Sequence, residues 1–169
     1  MALAALEAVL DPESDAAVRA CWAALDEAGL PSQAQHRGET NAPHVTLVSA
    51  PVVGAPHLAV ARTLLAPNLP VGMTVAGWVL FGEGSQYTLA LLGAAPAALV
   101  SAVDVLGRAV EDPRAGAWVP HVTVARRLEA RQLERAVDVV DRAGLRPERL
   151  VLAGVRHWDP RTRTVRDLH

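Results

Sequence analysis

Pro43-His44-Val45-Thr46-Leu47 recurs later in the chain as Pro120-His121-Val122-Thr123-Val124. The two histidines stand 77 positions apart. Both segments sit in β-rich stretches, and each is followed by a stretch with helical spacing. In a strand, alternate side chains share a face. His44 and Thr46 therefore point one way, as do His121 and Thr123. Val45, Leu47, Val122 and Val124 point the other way, where they can pack beneath helices. A strand patterned like this lines a cleft with one face and anchors a core with the other.

The flanking chain reads outward from these two segments. Residues 2–10 are apolar and form a strand that Asp11 and Pro12 end. Ser14 caps a helix over 14–28, with Val18, Cys21, Trp22 and Leu25 at helical spacing, closed by Gly29 and Pro31. Residues 33–41 are a polar loop, or a strand leading into one. Residues 56–65 are a second helix, closed by Pro67. Met73–Phe81 and Tyr87–Leu92 flank Gly82-Glu83-Gly84-Ser85 as a hairpin. With no helix directly after it, that Gly-x-Gly is a turn and not a phosphate cradle. Residues 96–111 are a third helix with Pro96 in its first turn. Trp118–Ala125 is a strand and 129–143 a fourth helix, ended by Gly144. Leu150–Trp158 and Thr162–Leu168 flank Asp159-Pro160-Arg161 as a second hairpin. Hairpins imply antiparallel sheet, so the fold class is α+β and not a doubly wound parallel sheet.

The composition fits one compact unit. The chain has 169 residues, 51% apolar and 20% charged, which argues against disorder. All 16 basic residues are arginine. Codon bias in a GC-rich genome is the ordinary origin of such a skew. Whatever its origin, it excludes a Walker-type phosphate loop, a pyridoxal Schiff base and a nucleotidyl-lysine intermediate. Net charge is −2, giving no global pull toward nucleic acid or membrane. The charge is unevenly spread. Residues 1–112 carry 4 Arg against 11 Asp and Glu, and residues 113–169 carry 12 Arg against 7. Such asymmetry can mark an anionic-ligand site or a solvated helix face. Cys21 is the only cysteine, which excludes an internal disulfide and a cysteine-based zinc site. Met1–Leu10 lacks a basic leader and is interrupted by Glu7, and no run reaches the length of a membrane span. The expectation is a cytoplasmic protein without membrane contact, monomeric by default.

The motif chemistry suits phosphodiester cleavage. One imidazole can take a proton from the attacking water or hydroxyl while the other protonates the leaving oxygen. Each such step contributes roughly 10²–10⁴-fold. An ordinary imidazole populates both protonation states near neutrality. The threonine hydroxyls can donate to the non-bridging oxygens as charge grows in the transition state. No metal, cofactor or covalent intermediate is required. A His in a strand is more often structural, and a repeated tetrapeptide can arise by chance. Here the repeat shares its secondary structure and its place in two half-chains.

At these residues the sequence resembles the 2H phosphoesterase superfamily, and within it the bacterial 2′-5′ RNA ligase-like (cyclic phosphodiesterase) proteins. The resemblance runs from the opening strand to the closing hairpin. It implies one domain over 1–169 built as two intertwined, pseudo-symmetric lobes, each an antiparallel sheet with outer helices, around a central cleft. It implies His44, Thr46, His121 and Thr123 as the catalytic set. It implies metal-independent action on 2′,3′-cyclic phosphates or 2′-5′ linkages, with RNA ends or small cyclic nucleotides as substrate. Run in reverse, the same residues would join RNA ends without ATP. In many relatives an Arg follows the second motif, as Arg126 does. Strict alternation puts Arg126 opposite His121, so it reaches the cleft only if the strand ends or bulges there. The first motif has Ser49 and Ala50 in that region. The opening strand is Ala-rich and lacks the family's usual aromatic.

Other residues have weaker claims. His36 and Arg37 lie in the loop before the first motif, where they can touch substrate. Trp158, beside His157, can stack a base or pack in its hairpin. One of Trp78, Phe81 and Tyr87 can line the cleft. Trp22 belongs to the core, and His57 faces solvent at a helix start. Arg161, Arg163 and Arg166 either hold phosphates or keep an edge strand soluble. The enzyme reading has two rivals. One is an RNA- or nucleotide-binding module without turnover, disfavoured because all four motif residues are intact. The other is a His-based metal hydrolase, for which neither motif has an acidic or Cys ligand at local spacing.

Overall fold

A computed structural model describes residues 3–38 and 40–168. In chain order the elements are β1 (Ala4–Leu10), α1 (Pro12–Glu27), β2 (His44–Ala50), α2 (Ala55–Leu65), β3 (Val71–Phe81), β4 (Gln86–Ala94), α3 (Ala97–Ala109), β5 (His121–Glu129), α4 (Leu133–Arg142), β6 (Arg149–Asp159) and β7 (Thr164–Leu168). The strands form one seven-stranded sheet in the order β2-β1-β6-β3-β4-β5, with β7 also on β6. Every pairing is antiparallel, as the hairpins implied.

That order contains an internal two-fold. The chain runs β1-α1-β2-α2-β3 and then repeats the pattern as β4-α3-β5-α4-β6. Exchanging the halves maps the strand triplet β2-β1-β6 onto β5-β4-β3. Each triplet therefore takes its third strand from the other half. The central pair, β6 and β3, is antiparallel from Val71↔Leu152 to Thr74↔Arg149, as a two-fold between them requires. The helices obey the same exchange, with α1 against α4 and α2 against α3. The two motif strands are the two ends of the sheet. They lie against each other without pairing, so the sheet curls but does not close.

Several boundaries differ from the sequence reading for local reasons. Asp11, not Ser14, caps α1: its Oδ1 accepts from the Ser14 amide at 2.8 Å, and Pro12 has no N–H to satisfy. The Ser14 hydroxyl accepts instead from the Val151 amide at 2.8 Å. Pro96 is the cap of α3 and not part of its first turn. The second motif strand starts at His121 and not Trp118, because Pro120 has no N–H for the ladder; only its carbonyl is used, by the Gly93 amide at 2.8 Å. The fourth helix opens as a 3₁₀ turn over Ala130–Gln132. Gln33–Gln35 form another within the polar loop. Gly82 has a φ of +116°, and a Cβ there would stand 2.7 Å from the Gln86 carbonyl oxygen. The Gly-x-Gly is thus a hairpin turn, as its setting implied.

Val45, Leu47, Val122 and Val124 are all fully buried in the core. His44, Thr46, His121 and Thr123 are half-buried. Among the described residues, no helix is long and apolar enough to cross a membrane.

Candidate active site

Each motif histidine is fixed in the same way. A residue before proline is confined to extended backbone, which sets the direction of its carbonyl. Ala42 and Val119 occupy that place, before Pro43 and Pro120. His44 Nδ1 lies 2.8 Å from the Ala42 oxygen, and His121 Nδ1 lies 2.7 Å from the Val119 oxygen. A carbonyl only accepts, so Nδ1 is the donor in both contacts, and Nε2 is the ring nitrogen that each contact leaves unused. The Thr46 and Thr123 hydroxyls have no protein partner among the described residues.

The threonine carbonyls are held across the molecule. β2 and β5 are edge strands, so part of each backbone faces away from its ladder. Trp118, just before β5, donates from Nε1 to the Thr46 oxygen at 2.9 Å. Trp22, on α1, donates from Nε1 to the Thr123 oxygen at 3.1 Å. Each half of the chain thus supplies an indole to the other half's motif. These bridges fix the spacing of the two edges. Trp118→Phe keeps a ring but loses the N–H, and is expected to cost about 1–3 kcal/mol, seen as a drop of several degrees in Tm. A misplacement of about 1 Å can cost 10²-fold in rate, so kcat is expected to fall further than stability alone explains. Unchanged kcat and Tm would remove the bridge from the account.

Two hollows flank the motifs. The one beside His44, about 200 Å³, is lined by Glu7, His36, Arg126, Arg156 and Trp158. The structure thus brings His36, Arg126 and Trp158 together with the first histidine. Asn41 ties the His36 loop, donating to the Gln33 oxygen at 2.9 Å and the His36 oxygen at 2.8 Å. Arg126 reaches this hollow because β5 bulges. Thr123 pairs with Ala90, but the next pair is Ala125 with Leu89, leaving Val124 as an extra residue. The slip reverses the alternation, returning Arg126 to the histidine face. Glu7 and Arg156 form a buried ion pair, Oε2 to Nε at 2.8 Å. The other carboxylate oxygen of Glu7 lies 3.4 Å from His44 Nε2.

The hollow beside His121, about 180 Å³, is lined by Thr46, Phe81, Asp112, Arg114 and Trp118. Of the three aromatics flanking the middle hairpin, Phe81 is the one in the site. Its ring centroid lies 4.5 Å from that of His121. Burial pushes His121 below the ordinary imidazole pKa of 6.5; the Val119 carbonyl opposes this, and the positive charges of Arg114, His44 and Arg126 add to it. His121 is therefore largely neutral at neutral pH.

Other candidates lie elsewhere. His57 caps α2, its Nδ1 accepting from the Gly54 amide at 3.2 Å. Trp78 donates to Asp141 Oδ2 at 3.2 Å, and the Tyr87 hydroxyl to the Gly84 oxygen at 3.2 Å. His157 and Arg161 line a separate hollow with Pro51 and Val53. Arg163 and Arg166 line neither motif hollow. Trp22 is buried, as expected of a core residue. Glu7, Arg114, Trp118 and Arg156 also line the two hollows and belong to neither motif. Of these, Glu7 alone carries a sequence signal, as the lone acid in an otherwise apolar strand. Among the described residues, no three His, Cys, Asp or Glu side chains cluster as a metal-ligand set.

Comparison with known proteins follows the same line. No curated protein sequence matches the chain. Two solved structures of Usb1 from Kluyveromyces marxianus share the fold. The one with uridine monophosphate is 17% identical with a TM-score of 0.54, and the other is 16% identical with a TM-score of 0.57. Each alignment covers 98% of this chain and 97% of that one. The sequence model of the 2′-5′ RNA ligase superfamily matches residues 10–159, a span that holds both motif strands. The chain belongs to that superfamily of 2H phosphoesterases, enzymes that break or join phosphodiester bonds.

Proposed function

We propose that the protein is a phosphodiesterase of RNA ends or nucleotides, opening 2′,3′-cyclic phosphates or cleaving 2′-5′ linkages through its two His-x-Thr motifs. The observation that carries this is the matched anchoring of the two motif histidines through Nδ1. Two half-buried imidazoles stand on the two end strands of the sheet, which lie against each other, each with Nδ1 tied to a backbone carbonyl. Histidines held only for packing have no need of that matched arrangement. His121, held neutral, takes the proton of the attacking water. His44, whose Nε2 faces the Glu7 carboxylate, gives its proton to the leaving 2′ or 3′ oxygen. One P–O bond forms and one breaks, and solvent returns the two histidines to their starting states. Thr46 and Thr123 donate to the non-bridging oxygens. The reverse reaction joins ends without ATP, and with no lysine in the chain a lysine adduct has no part in it. RNA as the substrate class is supported by the family match. The uridine monophosphate in one structure of the same fold is a nucleotide of the class proposed.

The test is a product assay. Purified protein is given nucleoside 2′,3′-cyclic phosphates and 2′-5′- and 3′-5′-linked dinucleotides, and 2′- and 3′-phosphate ends are scored. Binding across the panel without cleavage would replace the enzyme with a binding module. The pH profile adds a second reading. A base with a lowered pKa stays unprotonated further into acid. The acidic limb of kcat/KM is therefore expected below pH 6.5, with activity falling as pH drops through it. A limb above that value would contradict His121 as the base.

A further inference from the structure

The two motif strands share more than their motifs. In β2, Thr46 pairs with Glu7 and the next pair is Val48 with Leu6, leaving Leu47 as the extra residue. In β5 the extra residue is Val124, also immediately after the motif threonine. The same bulge thus stands at the same place in both strands. The fifth residue after the histidine is Arg126 in β5 and Ser49 in β2. Arg126 lines the hollow beside His44, the other strand's histidine. By the two-fold, a cation at position 49 would serve the hollow beside His121. Serine cannot supply one.

A guanidinium nevertheless stands there. Arg114, from the loop between α3 and β5, donates from Nη2 to the Ser49 hydroxyl at 2.8 Å. Its Nε lies 3.1 Å from Asp112 Oδ1 and its Nη2 lies 2.9 Å from Oδ2. Asp112 is buried and accepts further bonds from the Ser49 amide at 2.7 Å and the Arg114 amide at 2.8 Å. The guanidinium is therefore fixed along one edge by groups from both halves of the chain. Nη1 alone has no protein partner among the described residues. The side chain is half-exposed and lines the cavity that holds Thr46 and His121. A solubilising arginine needs no such anchoring. A fixed fork with a free donor is what oxyanion recognition requires.

We infer that Arg114 is a substrate-binding residue, the two-fold counterpart of Arg126, which takes a phosphoryl oxygen of the substrate through Nη1 from the His121 side. This rests on the phosphodiester reading of the cleft. The probe that separates the two is a nucleoside 2′-monophosphate, whose binding needs no turnover.

Binding of that monophosphate by calorimetry, and kcat/KM on a 2′,3′-cyclic phosphate, are measured for wild type, Arg114→Met, Arg114→Lys and Ser49→Ala. Arg114→Met is expected to weaken the monophosphate roughly 10- to 100-fold, as loss of a charged hydrogen bond does. It also removes a positive neighbour of His121, so the acidic limb of kcat/KM moves to higher pH. Arg114→Lys restores the limb but not the fork, leaving binding about tenfold weak. Ser49→Ala gives a smaller loss in the same direction. If Arg114 is only a tie between the lobes, Arg114→Met lowers Tm while monophosphate affinity stays at the wild-type value, and the inference is overturned. Should Arg114→Met fail to fold, wild-type affinity in Arg114→Lys overturns it equally. A wild-type protein that binds the monophosphate but cleaves nothing in the panel defeats the enzyme reading alone. One that does not bind it defeats the inference.

Discussion

His121→Ala and His44→Ala are each expected to lose roughly 10²–10⁴-fold in kcat/KM while the fold survives. Both side chains are only half-buried, and their backbone places are set by Pro43, Pro120 and the indole bridges rather than by the rings. The larger information lies in how the two variants differ. His44 is assigned as the acid, so its loss is felt in proportion to how poor the leaving group is. An aryl phosphodiester with an acidic phenol needs no proton and should recover most of the rate in His44→Ala. The same substrate should leave His121→Ala slow, because the attacking water still lacks its base; raising the pH should help that variant instead. Because the two residues act as a unit, the double variant is expected to lose less than the product of the single losses. Rescue of His121→Ala by the aryl ester would reverse the assignment, and wild-type rates in both single variants would end the mechanism.

Much of this arrangement was legible in the sequence because the motif pattern does two jobs at once. Alternation in His44-Val45-Thr46 and His121-Val122-Thr123 gave both a core face and a cleft face, and Val45 and Val122 are fully buried. The Gly82 and Asp159-Pro160 turns fixed the two hairpins, and with them the antiparallel sheet. What stayed hidden depends on register and contact at long range. The position of Arg126 turned on a bulge, which no local propensity signals. Arg114 and Asp112 are unremarkable in a loop; only the fold brings them to Ser49, more than sixty positions away. Trp118 reads in the sequence as a strand residue and is instead a bridge to Thr46. The charge split gained a location: Arg114, Arg126 and Arg156 all come from the basic half, and all line the two motif hollows.

Glu7→Ala is expected to be the most destabilising change in the site, and its partner shows why. Across β2, β1 and β6, Thr46, Glu7 and Arg156 stand opposite one another in register. The Glu7 and Arg156 side chains are 10% and 8% exposed, so water offers either charge little as an alternative partner. Removing one member of a buried pair leaves the other uncompensated, at a cost of about 3–5 kcal/mol. Against a typical total of roughly 5–15 kcal/mol, that is a large share, and a fall in Tm of about 10 °C or more should follow. The same arithmetic separates stability from function. Replacing both partners with apolar residues, as in Glu7→Leu with Arg156→Met, removes both desolvation penalties and should recover much of the lost stability. It should not recover turnover, because His44 Nε2 then has no carboxylate beside it and its hollow has lost a cation. A stable double variant with wild-type kcat/KM would make the pair a packing device. A stable double variant without activity would show that two charges are kept buried across β1 and β6 for the sake of His44.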